Sequence, residues 1–159
     1  MINKGDPFQK AKDYAFLLLK FRLRSERELI QRLKIKKFDE TVIRSVVEFL
    51  KDKRFIDDAL FAKNWVKSRI EKPLGLSRIR RELLIKGIAK EIIDQELENI
   101  KKRYSEEEII LSIAKERLRR LSSIDPQKAR KRIYAYLLRR GFSMDLVCDT
   151  INQLCKRKF

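Results

Sequence analysis

The apolar residues of the chain recur at helical spacing, and the polar segments between them are short. In the segment ELLIKGIAK, a run of apolar and basic residues ends at Gly87, and a new run begins at Ile88. Only 4 Gly and 3 Pro interrupt the 159 residues, while Leu, Ile, Lys, Arg and Glu dominate. No segment shows the alternation typical of a half-buried strand. The pattern therefore predicts an all-α protein with short connections.

The turn at Gly87 occurs three times along the chain. An offset of 50 positions aligns the segment around Lys37 with the segment around Gly87, and an offset of 104 positions aligns it with the segment around Gly141. Seven apolar positions stay in register without a gap, and so does the basic residue before the turn. The aligned basic residues are Lys36, Lys86 and Arg140. An ungapped match of this length predicts a threefold internal repeat.

The residue at the turn explains its geometry. Gly87 and Gly141 stand where a helix ends in a left-handed residue, a conformation that glycine adopts without a steric penalty. The first copy has Lys37 there, so we expect a left-handed lysine with about 1 kcal/mol of local strain. Asp39 and Ser143 then follow as N-caps of the next helix.

A further helix precedes each of these turns, and cap residues mark where helices begin. The preceding helices are predicted at about residues 7–24, 58–70 and 106–121, after Asp6, Asp57 and Ser105. Ser105 and Glu108 have the spacing of a capping box.

The middle helices of the repeats begin at the same aligned position. Ser25 and Glu28 have capping-box spacing and begin the first of them, and Gly75 stands in the place of Ser25 in the second repeat. Asp125 caps the third.

The architecture that follows is three tandem, helix-turn-helix-like repeats of three helices each. We predict their boundaries at residues 1–56, 57–104 and 105–159. A unit of this size barely buries enough surface to stand alone. The repeats should therefore pack in series as one continuous, elongated, curved array.

The charge of the chain indicates a negatively charged partner. Lys and Arg number 40 against 23 acidic residues, which gives a formal net charge of +17. Such a field favours nucleic acid, an anionic membrane surface or an acidic protein face. Solubility alone would require far less charge.

The basic residues concentrate on the middle helices of the repeats. A helix-turn-helix DNA reader would instead place the last helix in the major groove. The last helix of the second repeat, AKEIIDQELENI, has four acids against one Lys and would be repelled by phosphates. We therefore predict contact with a partner or with a nucleic-acid backbone through Arg24, Arg32, Lys36, Arg78, Arg80, Arg81, Lys86, Lys128, Arg130, Lys131, Arg132, Arg139 and Arg140.

Groups that carry out catalysis are scarce in the sequence. The chain has no His, two Cys and no Gly-rich phosphate loop. Asp57 and Asp58 are adjacent carboxylates, but they are already expected to serve as helix caps. Cys148 and Cys155 lie too far apart on one predicted helix to form a disulfide. We predict a protein that is not an enzyme and that holds no metal or cofactor.

The longest apolar run, YAFLLL, is far too short to cross a bilayer, and no signal-peptide pattern flanks it. We therefore expect a cytoplasmic protein without a membrane partner. No self-complementary apolar stripe stands out, so a monomer is expected.

Three segments resemble the RecX family of recombination regulators. LRSERELIQRL has Arg24, Ser25 and Glu28 at the spacing of the family, and FIDDALFAKNWVKSR contains its Ile56-Asp57-Asp58 motif. GLSRIRRELLIKGI follows with Gly75, Lys86 and Gly87 in place. The resemblance covers about residues 15–97, and the final third follows only the general repeat. Lys37 and Arg54 depart from the family, which often has Gly there.

The resemblance implies a protein that binds the RecA recombinase. In this family a curved array of three-helix repeats lies in the groove of the RecA–DNA filament, where it blocks extension and lowers strand exchange and ATP hydrolysis. The main alternative is a sequence-nonspecific DNA- or RNA-binding protein that acts without RecA, and a third is a scaffold for an unrelated acidic partner. A membrane-surface role is weaker, because packing occupies the apolar faces.

Overall fold

The computed structural model describes residues 5–156, with side chains as far as Leu154. Within that range the chain forms nine α-helices and no β-strand. They are α1 Pro7–Phe21, α2 Glu26–Ile35, α3 Glu40–Asp52, α4 Asp58–Ile70, α5 Leu76–Ile85, α6 Lys90–Lys101, α7 Glu106–Arg120, α8 Pro126–Arg139 and α9 Met144–Lys156. The predicted all-α class with three tandem three-helix repeats is confirmed.

Most of the predicted cap residues hold helix starts. The Asp6 carboxylate accepts a hydrogen bond from the amide of Phe8 at 3.0 Å, and Asp57 accepts one from Leu60 at 2.9 Å. The Ser25–Glu28 capping box forms in both directions. These bonds satisfy amides that have no partner inside their own helix.

Two details of the helix ends differ from the predictions. The first helix ends at Phe21 rather than Arg24, because the backbone of Arg22 is extended (φ −166°, ψ 160°). Asp39 occupies the N-cap position of α3, but its side chain makes no capping hydrogen bond.

The turn residues adopt the predicted left-handed conformation. Gly87 has φ +80° and Gly141 has φ +86°. Lys37 has φ +61° at the same place in the first repeat, and Arg54, the other departure from the family pattern, has φ +56°. The two turns without glycine therefore have the same left-handed backbone conformation as the glycine turns, but with the steric penalty of a side chain.

We expect Lys37→Gly to raise the free energy of unfolding by about 0.5–1 kcal/mol, because removing the side chain relieves the strain but makes the unfolded chain more flexible. Urea denaturation measures the change. Lys53→Gly is the matched control, since Lys53 has φ −85° and gains nothing from glycine. If Lys37→Gly lost as much stability as the control, the conclusion that Lys37 is strained would be contradicted.

The described helices form two compact units. The first unit comprises the described chain as far as Trp65 together with Leu83–Ile93, and the second comprises Val66–Glu82 and the described chain from Asp94 onwards. Each helix of the second repeat contributes residues to both units. The division thus crosses that repeat, and the boundaries proposed for the three repeats stay a prediction.

Each unit has its own apolar core. In the first unit α1, α2 and α3 each pack against the other two, and they enclose Leu29, Leu33 and Leu50. In the second unit α7, α8 and α9 pack in the same way. Ile133 and Leu137 of α8 lie in that core. These positions are among those that the repeat aligns, so the register read from the sequence is also the register of the core.

None of the helices in residues 5–156 combines the length and the apolar character that a bilayer crossing needs.

Candidate partner-binding surface

The start of α2 meets the next repeat in a contact that we call the first joint, formed by Arg22, residues 25–28, Asp58 and residues 86–87. The buried Ser25 hydroxyl donates a hydrogen bond to the carbonyl of Lys86 at 2.7 Å. The amide of Glu26 donates to the carboxylate of Asp58 at 2.9 Å. A helix start in one repeat is thus capped by the next repeat.

The second unit contains the same arrangement at the start of α5. We call it the second joint, formed by Lys72, residues 74–78, Glu106, Arg117, Tyr136 and residues 139–141. The amide of Gly75 donates to the carbonyl of Arg140 at 3.0 Å, and the amide of Leu76 donates to the carboxylate of Glu106 at 2.9 Å. The hydroxyl of Tyr104 also donates to the carbonyl of Leu74 at 2.8 Å.

Gly75 is confined by its neighbours in the second joint. A Cβ atom there would lie 2.0 Å from the carbonyl oxygen of Gly141 and 2.3 Å from the amide nitrogen of Phe142. Both contacts are to backbone, which cannot move aside as a flexible side chain does. The close approach of the two repeats explains why this position has glycine rather than a serine like Ser25.

The carboxylates that cap the joints are partly buried. Burial raises the pKa of Asp58 and the pKa of Glu106, while the hydrogen bonds from the amides of Glu26 and Leu76 oppose that rise. Both side chains therefore act as acceptors at some desolvation cost. The sequence indicated Asp58 as part of a motif and as a helix cap, but not as a cap of α2, and it gave Glu106 no role.

Charges in the first joint neutralise one another. Glu28 accepts hydrogen bonds from Arg22 at 2.9 Å and from Lys86 at 2.6 Å. Burial alone would raise the pKa of Glu28, but the bonds from Arg22 and Lys86 lower it to about 2. The Lys86 side chain is only 18% exposed, and its ammonium nitrogen lies 4.3 Å from the ring centroid of Trp65. The positive charge of Lys86 is therefore already paired with Glu28 within the chain.

Charges in the second joint are arranged differently. The guanidinium of Arg140 donates to the carbonyl of Lys72 at 3.0 Å and to the hydroxyl of Tyr136 at 3.0 Å. Arg117 stacks over the same ring, 3.3 Å from its centroid. Burial alone would raise the pKa of Tyr136, but its hydrogen bonds with the two arginines lower it. Arg140 is thus held by neutral oxygens.

Five other predicted residues also have contacts within the chain. Arg24 donates to the carbonyl of Leu18 at 3.3 Å, and its pKa is lowered first by burial and then by its neighbour Arg22. Arg78 pairs with Glu82 at 3.1 Å, and Arg80 pairs with Asp94 at 2.5 Å. Arg130 hydrogen-bonds with Asn152. The exposed ammonium of Lys36 lies 5.3 Å from the ring centroid of Tyr14.

The remaining predicted cations are exposed and form no ion pair or side-chain hydrogen bond with the described part of the chain. They are Arg32, Arg81, Lys128, Lys131, Arg132 and Arg139. All of them except Arg32 lie in the second unit. Lys128, Arg132 and Arg139 occupy one face of α8 by their spacing. These side chains can bind an anion without first breaking a contact inside the chain.

Among the described residues, no group of three or more His, Cys, Asp or Glu side chains is placed to hold a metal ion. Cys148 is a free thiol 3.7 Å from the hydroxyl of Tyr134, while the side chain of Cys155 lies outside the described residues.

Comparison with known proteins accounts for the repeated architecture. Three consecutive family models match the chain: the first three-helix domain of RecX at residues 11–50, the second at 57–97 and the third at 105–151. The chain belongs to the RecX family. The third match shows that the final third is also a RecX domain, although its sequence carried only the general repeat.

Similar proteins share this assignment. The regulatory protein RecX of Chlorobium phaeobacteroides is 37% identical over 92% of this chain and 94% of that protein. That of Clostridium beijerinckii is 30% identical over 96% of this chain and 72% of that protein. The crystal structure of RecX from Lactobacillus salivarius matches with a TM-score of 0.80 and 25% identity, covering 94% of this chain and 97% of that one. A regulatory role in the RecX family follows.

Proposed function

We propose that the chain regulates homologous recombination by binding the filament that RecA forms on DNA. It lies in the groove of that filament and mainly inhibits filament extension, ATP hydrolysis and strand exchange. It does this as a cytoplasmic monomer, by binding rather than by catalysis and without a cofactor. The observation that carries the proposal is the series of three RecX domains along one strongly basic chain.

The distribution of charge supports a binding role. Five exposed cations of the second unit have no partner among the described residues, so they can meet phosphates or acidic side chains directly. The first joint, in contrast, neutralises its own charges through Glu28. A regulator that only binds needs such a free cationic surface and no perturbed catalytic group.

The test is the addition of purified chain to a preformed RecA filament on single-stranded DNA. We expect stoichiometric amounts to lower the rate of ATP turnover and to shorten the filaments seen by electron microscopy. Bovine serum albumin at the same concentration controls for unspecific effects. Unchanged turnover together with unchanged filament length would contradict the proposal.

The second candidate function is sequence-nonspecific binding of DNA or RNA without RecA. The unpaired cations on one face of α8 favour it, because a row of such side chains can follow a phosphate backbone. This function predicts tight binding to bare nucleic acid with a steep salt dependence, and no dependence of the effect on the recombinase.

A further inference from the structure

The two joints have corresponding contacts at the start of a middle helix but opposite charge at one aligned position. In each joint, the N-terminal end of a middle helix bonds to the carbonyl of the residue before a left-handed glycine. The register of 50 residues that aligns Ser25 with Gly75 also aligns Glu28 with Arg78. Glu28 is the side chain that neutralises Lys86 in the first joint. The second joint has an arginine where the first has its counter-ion.

This exchange leaves the second joint with an excess of positive charge. Arg140, the counterpart of Lys86, donates to the carbonyl of Lys72 and the hydroxyl of Tyr136 instead of a carboxylate. Arg78 shares the carboxylate of Glu82 with Arg69, whose Nε lies 2.6 Å from it. Glu82 thus pairs with two arginines, as Glu28 pairs with two cations in the first joint, so the difference lies in Arg140, which bonds to neutral oxygens.

Arg78 of α5 contacts the end of α8, the part of the chain that carries Arg139 and Arg140. Nη1 of Arg78 donates to the carbonyl of Arg139 at 3.4 Å, which places its guanidinium beside the end of α8. Arg117 stacks over the ring of Tyr136, and Arg140 donates to the hydroxyl of the same side chain. The side chain of Arg78 is 44% exposed, and Arg139 is exposed. Like charges collected at this end of α8 favour the binding of an anion there.

The chemistry of this surface matches phosphate better than a protein partner. Protein interfaces have apolar anchors at their centre. Of the large apolar side chains that are exposed in the described residues, all but Met144 lie in the first unit. The second joint instead offers arginines, whose planar guanidinium groups match the geometry of phosphate oxygens.

We propose that the second joint binds the phosphates of a nucleic-acid backbone, with Arg78 and Arg139 as the contacting side chains. Arg140 and Arg117 position this surface through Lys72 and Tyr136 and add to its field. The inference deepens the proposed function, on which it rests for its biological setting, by assigning the DNA contact to one joint. The first joint, neutralised by Glu28, takes no part in that contact.

The experiment measures binding of a fluorescein-labelled single-stranded oligonucleotide by fluorescence anisotropy, without any recombinase, over a range of salt concentrations. We expect Arg78→Gln with Arg139→Gln to weaken binding on the order of ten-fold. The slope of log K against log salt should become shallower by about 1.4, because each lost phosphate contact on a single strand contributes about 0.7.

A matched control removes the same charge from the first unit. Arg44→Gln with Lys63→Gln replaces two exposed cations that lie outside both joints, so a smaller loss of affinity than in the joint variant is expected. Circular dichroism verifies that each variant is folded. Should the double variant fail to fold, Arg139→Gln alone suffices, since its exposed side chain forms no ion pair or hydrogen bond with the described residues. Its slope should change by about 0.7.

Two results would overturn the inference. One is equal weakening in the joint variant and the control, which would mean that only total charge matters. The other is unchanged oligonucleotide affinity with weakened binding to DNA-free RecA, which would assign the joint to an acidic protein face. Failure of the proposed function would give a different result from failure of this inference. In that case the wild-type chain would leave the ATP turnover of the filament unchanged, whatever effect the joint variant has on DNA binding.

Discussion

Gly75→Ala is expected to lower the free energy of unfolding by about 3 kcal/mol, at the upper end of the usual cost of overpacking. The added Cβ would stand 2.0 Å from the carbonyl oxygen of Gly141 and 2.1 Å from its carbonyl carbon. Neither backbone atom can give way without opening the second joint, including the hydrogen bond from the Gly75 amide to Arg140. Urea denaturation, followed by circular dichroism, measures the loss.

Gly5→Ala is the matched control for this substitution. A Cβ at Gly5 would meet only the Cε atom of Lys10 at 3.3 Å, the far end of a flexible side chain. We expect its free energy of unfolding to stay within about 0.5 kcal/mol of the wild-type value. A Gly75→Ala protein as stable as this control would show that the two backbones do not approach each other as closely as described.

Glu28→Gln is expected to lower the free energy of unfolding by about 2 kcal/mol near neutral pH, because it leaves two cations in the first joint without their carboxylate. Glu28 and Lys86 are 15% and 18% exposed, so solvent screens the loss only in part. Urea denaturation of both proteins at several pH values measures this difference and its pH dependence.

The pH dependence has a definite sign. The pKa of Glu28 is lowered from 4.5 to about 2 by its bonds to Arg22 and Lys86, which outweigh the effect of burial. Its contribution to stability is therefore complete above about pH 4.5 and is lost as the pH falls towards 2. The difference in free energy of unfolding between the wild type and Glu28→Gln should therefore become smaller as the pH falls over that range.

Glu40→Gln provides the control for this pair. Glu40 also bonds to a lysine, Lys34, at 2.8 Å, but its side chain is 77% exposed. We expect no measurable change in stability, since solvent screens an exposed ion pair. A constant gap between the wild type and Glu28→Gln down to pH 2 would contradict the ion-pair explanation.

Local features of the fold were predictable because they depend on a few adjacent residues. The left-handed turns follow from glycine at two aligned positions, and the same alignment predicted the left-handed Lys37 in the third. The capping box of Ser25 and Glu28 is a four-residue signal, and it formed as expected. The register of the repeat also aligned the buried positions, because these positions carry apolar residues in every repeat.

Contacts between repeats were not predictable, because they depend on residues far apart in the chain. Ser25 carried a capping signal, yet its hydroxyl also donates to the carbonyl of Lys86, 61 residues away. The sequence gave no sign that Glu106 would cap α5. Gly75 resembled an ordinary variant of a cap position, whereas the close approach to Gly141 explains it.

The sequence predicted that the candidate binding surface would be rich in Lys and Arg. It did not predict which of these side chains would be free of contacts within the chain. Lys86 and Arg139 each add one positive charge to the composition, so the sequence alone does not distinguish them. The structure pairs Lys86 with Glu28, while the Arg139 side chain is exposed and has no partner in the described range. Helical spacing cannot predict which cation meets an acid from another helix. The partner-binding role of these residues stays a prediction.

Co-sedimentation tests most directly the proposed binding of this RecX-family chain to the RecA filament. Purified chain is mixed in stoichiometric amounts with preformed RecA filaments on single-stranded DNA and, in parallel, with the same DNA alone. We expect the chain to sediment with the filaments while their rate of ATP turnover falls. Binding to bare DNA that is as tight as binding to filaments, together with unchanged turnover, would contradict the claim.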